Sequence, residues 1–162
     1  MMKLFLLLVL LVGTLFSKSY HFKETRYSDA FEASTSLDGI IRFKENSLKI
    51  NYQSSDTEIV YEDADLVIKQ NSELLDIDEN QRQSMSSFFE ILLMIYHNDE
   101  SVLKEHFEVK HQENKTLLNP KGDLSQYIEK LTLVKHEKQL KEVKLFLKNA
   151  DIITISIEDE IR

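Results

Sequence analysis

Leu37-Asp38-Gly39-Ile40-Ile41-Arg42-Phe43, followed by Leu48-Lys49-Ile50-Asn51-Tyr52-Gln53, is the stretch from which the fold can be read. In both pieces apolar and polar side chains alternate, with Leu37, Gly39, Ile41 and Phe43 on one parity and Asp38, Ile40, Arg42 and Lys44 on the other. Because successive strand residues point to opposite faces, this period of two predicts strands with one dry and one wet face. Glu45-Asn46-Ser47 breaks the run and makes the two pieces a hairpin.

The same signal extends in both directions. Short strands are expected around Ile59 to Tyr61, Leu66 to Ile68 and Leu74 to Ile77, with a break at Gln70-Asn71-Ser72. Toward the C-terminus, Phe107 to His111 and Thr116 to Pro120 pair across the Asn114 turn. Lys130 to Lys135, Lys141 to Lys148 and Ile152 to Ile157 complete the series, with Val143, Leu145 and Leu147 in one row and Ile153, Ile155 and Ile157 in another. One segment departs from the pattern. Between Phe88 and Tyr96 only Glu90 is polar, and the periodicity from Ser84 to Tyr96 is helical. Phe88, Ile91, Leu92 and Ile95 share a face, and Phe89, Leu93 and Tyr96 widen it until the helix is apolar nearly all round. Such a helix must be buried on several sides or plug something apolar. Ser84, Ser86 or Ser87 is the expected cap, with Glu90 completing a capping box from Ser87, and Asn98-Asp99 ends the helix before a short second one from Ser101 to His106.

The fold class is therefore mainly β with an inserted helix, α+β in composition. About ten antiparallel strands with one apolar face cannot stay flat, since twist accumulates, so the sheet is expected to curl into an open half-barrel. The helix covers its concave side, and leftover apolar volume there would suit an acyl chain. The concave and lid residues proposed to touch lipid are Leu37, Ile41, Phe43, Leu48, Ile50, Tyr52, Ile59, Tyr61, Phe88, Phe89, Leu92 and Ile95.

Composition narrows the function classes. The chain of 162 residues suggests one domain, and a net charge of −8 offers no field to attract nucleic acid or an anionic membrane. Lys3, the apolar run Leu4 to Val12, and then Gly13, Thr14, Ser17 and Ser19 read as a secretory signal peptide. That run is shorter than the roughly 20 residues needed to span a bilayer. Cleavage is expected after Ser19, with Ser17 as the alternative, giving a signal peptide over 1–19 and a single domain over 20–162. Loss of Lys3 and Lys18 takes the net charge to −10. With no cysteine there is no disulfide, thiol nucleophile, thiolate metal site or acylated N-terminal cysteine.

No motif points to catalysis or to a cofactor. There is no Gly-x-Ser-x-Gly elbow or phosphate-binding glycine loop. His21, His97, His106, His111 and His136 are not spaced as zinc ligands, and Asp76-Ile77-Asp78-Glu79 reads as a solvated turn rather than a calcium loop, lacking the needed glycine. The lysines between Lys135 and Lys148 read as charged guards on exposed or edge strands, or as a surface for an acidic partner.

The order strand, strand, turn, apolar helix, strand, then Leu117-Leu118-Asn119-Pro120-Lys121 and three final strands resembles the periplasmic outer-membrane lipoprotein carriers, the LolA family, in a divergent branch. Phe22-Lys23-Glu24-Thr25-Arg26-Tyr27 looks like that branch's opening strand and Gly39-Ile40-Ile41-Arg42-Phe43 like the family's second. Leu118-Asn119-Pro120-Lys121 is the most specific short match, and colinearity runs from about Phe22 to Ile157. The resemblance implies a periplasmic, monomeric chaperone in a Gram-negative bacterium. Such a carrier takes an acylated lipoprotein from an inner-membrane transporter and yields it to an outer-membrane receptor, without a cofactor or metal. Zero Cys favours the carrier over its lipid-anchored receptor. Three departures stand out: Glu45-Asn46 replaces the family's basic-Pro pair, leaving no counterpart there to the lid-latching arginine; the N-terminal helix is missing or tiny; and the Arg26-Tyr27 opening is similar to relatives that accompany exporters of other acylated products. An alternative cargo of that kind, or a non-catalytic module that pairs its sheet edges with protein partners, are the competing readings.

Overall fold

The computed structural model describes residues 17–161. The N-terminal sixteen residues, and with them most of the expected signal peptide, lie outside the described residues.

The chain forms one antiparallel sheet of 11 strands. β1 (Lys18–Ser28), β2 (Ala33–Phe43), β3 (Ser47–Tyr52), β4 (Thr57–Glu62), β5 (Asp65–Gln70) and β6 (Glu73–Leu74) follow one another as a meander. The helices α1 (Glu79–His97) and α2 (Glu100–His106) come next, and β7 (Phe107–Gln112), β8 (Lys115–Pro120), β9 (Ile128–His136), β10 (Gln139–Leu147) and β11 (Ile152–Ile161) form a second meander. A short 3-10 helix, Gly122–Gln126, joins β8 to β9. The two meanders are joined where β1 pairs β11, with Phe22 opposite Ile157 and Glu24 opposite Ile155. β6 and β7 are left as the outermost strands of the spatial order, so the sheet is open. The chain must cross from one edge to the other between β6 and β7, and α1 and α2 make that crossing over the apolar face. This is the curled, open sheet with an inserted apolar helix that the alternation and the resemblance implied.

The alternation becomes burial. Tyr20, Phe22, Ile41, Phe43, Leu48, Ile50, Ile59, Tyr61, Leu66 and Ile68 are all buried on one face, as are Leu118, Leu131, Leu133, Val143, Leu145, Ile155 and Ile157 of the second meander. With about 25 cal/mol gained per Å² of apolar surface removed from water, this row is the main source of stability in a chain without disulfides. The parity that carries Leu37, Ile41 and Phe43 is the inner one. Tight two-residue turns at Asp63-Ala64, Asn71-Ser72 and Glu137-Lys138 have positive φ at both positions. That geometry matches the right-handed twist of the flanking strands, and here it is adopted without glycine.

Four expectations change. α1 begins at Glu79, capped by Asp78, whose carboxylate accepts from the Gln81 amide at 3.0 Å. Ser84, Ser86 and Ser87 lie inside the helix, and the Ser87–Glu90 capping box does not form. The polar stretch Glu79 to Gln83 carries no apolar period, so the sequence alone hid its helicity. The expected strand Leu74 to Ile77 shrinks to the bridge Glu73–Leu74. β9 and β10 are interior strands, so the lysines from Lys135 to Lys148 do not guard an edge. Lys130 and Lys144 instead lie over the Phe146 ring at 4.7 and 5.4 Å. Finally, β2 begins at Ala33, earlier than the alternation from Leu37 suggested.

Candidate functional site

α1 runs across the first meander rather than along it. Near its start, the Arg82 guanidinium donates to the Leu66 carbonyl of β5 at 2.7 Å. Leu66 lies beyond the two residues of β5 that β6 pairs, so this carbonyl has no ladder partner on that side. Midway, Phe89 packs on Tyr61 of β4 at 6.1 Å. At its end Tyr96 stacks on Phe43 of β2, with ring centroids 3.9 Å apart and planes within 2° of parallel, and Tyr20 of β1 meets Tyr96 edge-on at 6.4 Å. Phe89, Ile91, Leu92, Leu93 and Ile95 are buried along the way. Asn98 closes the helix in the left-handed conformation, its amide returning to the Ile95 carbonyl at 3.2 Å.

This path covers one end of the inner face and leaves the other uncovered. At the uncovered end lies a crevice of about 560 Å³, lined by Leu37, Tyr52, Ile59 and Ile68 from the strands, Leu75 and Ile77 from the segment before α1, and Met85 from α1 itself. Its size is within the roughly 300–1,000 Å³ usual for ligand pockets. Ser55, Thr57, Asn80, Gln81 and Ser84 form its wetter rim. A smaller cleft of about 370 Å³ lies beyond the far end of α1, walled by Tyr20, Tyr96, Leu140 and the charged Lys18, Glu137 and Glu160. Its charged walls make it a poor host for an alkyl chain.

Of the residues proposed from sequence to touch lipid, Leu37, Tyr52 and Ile59 line the crevice. Ile41, Phe43, Leu48, Ile50 and Tyr61 are buried in the sheet's inner face, and Phe89, Leu92 and Ile95 are buried in α1. Phe88 and Leu37 are half-buried against the same core. The crevice also uses residues that the sequence reading passed over: Ile68, Leu75, Ile77, Met85 and Arg26.

Arg26 belongs to a polar cluster on the inner face. Glu24 is the one buried charged residue among those described, at 3% exposure. One of its oxygens accepts from Arg26 Nε, and the other accepts from the Tyr52 hydroxyl at 2.5 Å. Tyr52 reaches Glu24 because Gly39 stands between β1 and β3. Phe22 and Tyr52 both sit opposite Gly39, and their rings meet edge-on over it at 5.6 Å. A Cβ at Gly39 would lie 2.8 Å from the Phe22 ring and collide with the Asn51 carbonyl. Burial, and then the neighbouring Glu24 carboxylate, push the Tyr52 hydroxyl well above its usual pKa, which keeps it a donor. Burial pulls Arg26 down, but Glu24 more than offsets that and leaves it firmly cationic. The sequence did carry a signal for this cluster: Glu24 and Arg26 occupy the same parity as Tyr20 and Phe22, the dry one.

Among the described residues no group of three or more histidine or acidic side chains converges as a metal site would require. His111 contacts Glu100 at 3.4 Å and Thr116 at 3.2 Å, both exposed. No helix among the described residues is long and apolar enough to cross a membrane.

Comparison with known proteins finds no matching family model and no matching curated protein. Among solved structures, the chain is similar to a LolA superfamily protein from Nitrosomonas europaea, at 8% identity and a TM-score of 0.43, over 91% of this chain and 86% of that one. It is also similar to a Vibrio parahaemolyticus domain described as outer-membrane lipoprotein-sorting, at 8% identity and a TM-score of 0.27, over 90% and 84% of the two chains. The fold stands on the strand order and the inserted helix described above, and neither likeness says what this chain binds.

Proposed function

We propose that the protein is a non-catalytic carrier that shields the acyl chains of a lipoprotein, or of a related lipid, from water while they cross the periplasm between inner and outer membranes. The observation that carries this reading is the apolar crevice between the uncovered strand ends and the first half of α1. A folded chain with side chains to spare would fill such a space, because unfilled apolar volume forfeits packing. Here the lining is apolar, the rim is polar, and α1 is held beside it at one point by Arg82.

Binding would be driven by the hydrophobic effect at about 0.8 kcal/mol per buried methylene, so a chain of about 16 carbons gains on the order of 10 kcal/mol gross. Delivery then requires a counterweight. Movement of Leu75, Ile77 and Met85 over the surface that the chain vacates would supply one, since they already border it. In this reading the protein is exported by its N-terminal segment and acts between a transporter and a receptor. A cut after Ser17 would leave β1 whole, whereas a cut after Ser19 would remove its first two residues.

Replacing Leu92 by Glu does not test the carrier reading, because Leu92 is only 2% exposed and the change would disrupt the core itself. Met85→Glu is the better probe, being half-buried on the crevice wall. Delipidated protein incubated with a diacylated peptide and examined by native mass spectrometry should show a one-to-one complex. Met85→Glu should lower its occupancy at least tenfold while the melting temperature moves by only a few degrees, as expected of a partly exposed substitution. A delipidated wild type that captures no acylated peptide overturns the proposal.

A further inference from the structure

Inside its polar but uncharged rim the crevice wall is apolar except at one place, and there it is not merely polar but charge-balanced. Glu24 is buried with both oxygens engaged, one by Arg26 and one by Tyr52. Arg26 differs from its partner: its side chain is 57% exposed against 3% for Glu24. A guanidinium has five N–H donors in a planar fork. Nε is given to Glu24 and the Tyr52 oxygen stands beside the fork, while Arg26 itself lines the crevice with more than half of its side chain exposed. What the wall presents to a ligand is therefore a set of hydrogen-bond donors without net charge, since the positive charge behind them is already compensated.

Resting on the carrier reading, we propose that Arg26, compensated by Glu24 and positioned with Tyr52, is a polar anchor for the carbonyl oxygen of a neutral acyl ester, making the crevice select ester-linked acyl chains over free fatty acids. An ester carbonyl accepts hydrogen bonds from the free guanidinium donors and brings no charge. A free carboxylate would accept the same bonds but leave one uncompensated negative charge beside Glu24 in an apolar cleft, which is disfavoured unless a further cation is recruited. The described crevice lining contains no second cation: apart from Arg26 its residues are apolar or, at the rim, uncharged. The alkyl part then runs over Leu37, Ile59 and Ile68 toward Met85.

The test compares laurate with methyl laurate, each kept below its aggregation concentration, on the delipidated full-length mature protein at pH 8 by isothermal titration calorimetry or by displacement of a bound fluorescent ester. Methyl laurate should bind at least tenfold more tightly than laurate. Glu24→Gln keeps the shape and removes the compensating charge, so it should raise laurate affinity about tenfold and narrow the preference by the same factor, a response expected of charge-assisted bonding and not of a purely structural role. Arg26→Met should reduce methyl laurate binding, while the Glu24 carboxylate that it leaves uncompensated should keep laurate the weaker ligand. Equal or tighter binding of laurate by the wild type overturns the anchor even if the variants fail to fold, while the carrier reading stands. Binding of neither compound, together with failure to capture a diacylated peptide, overturns both.

Discussion

The two ends of the inner face are built from the same strands and differ in almost every other respect. At the covered end Phe43, the last residue of β2, pairs with Leu48 of β3, and both are buried at 1% exposure or less under α1. At the opposite end of those strands, Leu37 is only half-buried and Tyr52 faces a crevice. One end is held by stacked and edge-on aromatic rings, Phe43, Tyr96 and Tyr20. The start of α1, over the β5 side of the same row, is tied to the sheet by a polar contact, Arg82 to the Leu66 carbonyl, with Asp78 capping the helix. A fully dry contact resists opening in proportion to the area it buries, whereas a hydrogen bond at a wet margin exchanges for water at little net cost. The same helix is thus anchored at its C-terminal half and detachable at its N-terminal half.

The largest effect should come from the anchored half. Ile95 has no exposed surface. Ile95→Ala removes buried methyl and methylene groups and leaves a cavity, at a cost of about 2–5 kcal/mol. Urea denaturation should show a lower midpoint at an unchanged slope. A loss below about 1 kcal/mol, the range of tolerated surface changes, would mean that the covered end is not the rigid one.

An intermediate effect is expected at the buried carboxylate. Tyr52→Phe removes the donor to one oxygen of Glu24, leaving a buried acceptor unsatisfied at about 1–3 kcal/mol near neutral pH. The pH dependence gives a second readout. Tyr52 has its folded pKa raised above the ordinary value of 10.0, chiefly by burial. Its neutral form is therefore favoured by folding, so its contribution is fully present below pH 10 and is lost as pH rises beyond it. Tyr20 behaves in the same direction, through burial and then Tyr96. Wild-type stability should fall above pH 10, and Tyr52→Phe should flatten part of that fall. An alkaline limb identical in both would place Tyr52 outside the coupled cluster.

Much of this contrast was legible in the sequence, and the illegible part has a physical reason. Alternation in Leu37 to Phe43 and Leu48 to Tyr52 specified the strands and an apolar and a wet row, but left open which parity faces inward, and it is burial in the structure that puts Leu37, Ile41 and Phe43 on the inner face. The apolar run from Phe88 to Tyr96 specified a helix buried on several sides. What alternation cannot convey is where along a strand the cover ends. Leu37 and Phe43 look alike in sequence, and only the path of α1 across the strands, along the row from Leu66 to Phe43, separates them. That path is set by the polar turns from Glu79 to Gln83, which carry no periodic signal, and by Asp78, whose capping role was masked by an acidic run that read as a turn. Glu24 and Arg26 were visible as charges on the dry parity, but their pairing with Tyr52 depends on Gly39, whose missing side chain lets Phe22 and Tyr52 meet.

The smallest effect on global stability should accompany the sharpest local one. Arg82 is half-exposed, and its bond to the Leu66 carbonyl is made at the margin of the sheet, where water can replace it. Arg82→Ala should therefore cost only about 1 kcal/mol in denaturant unfolding. Its consequence should be concentrated in α1: amide exchange of the turns from about residue 82 to 88 should accelerate several-fold, because local opening free energies can lie far below the global one. Amides from Ile91 to Tyr96 should keep their protection, since Ile91, Leu92 and Ile95 are buried independently of that contact. Uniform acceleration along α1 would make the helix a single cooperative unit, and a lid that opens from one end would then be physically untenable.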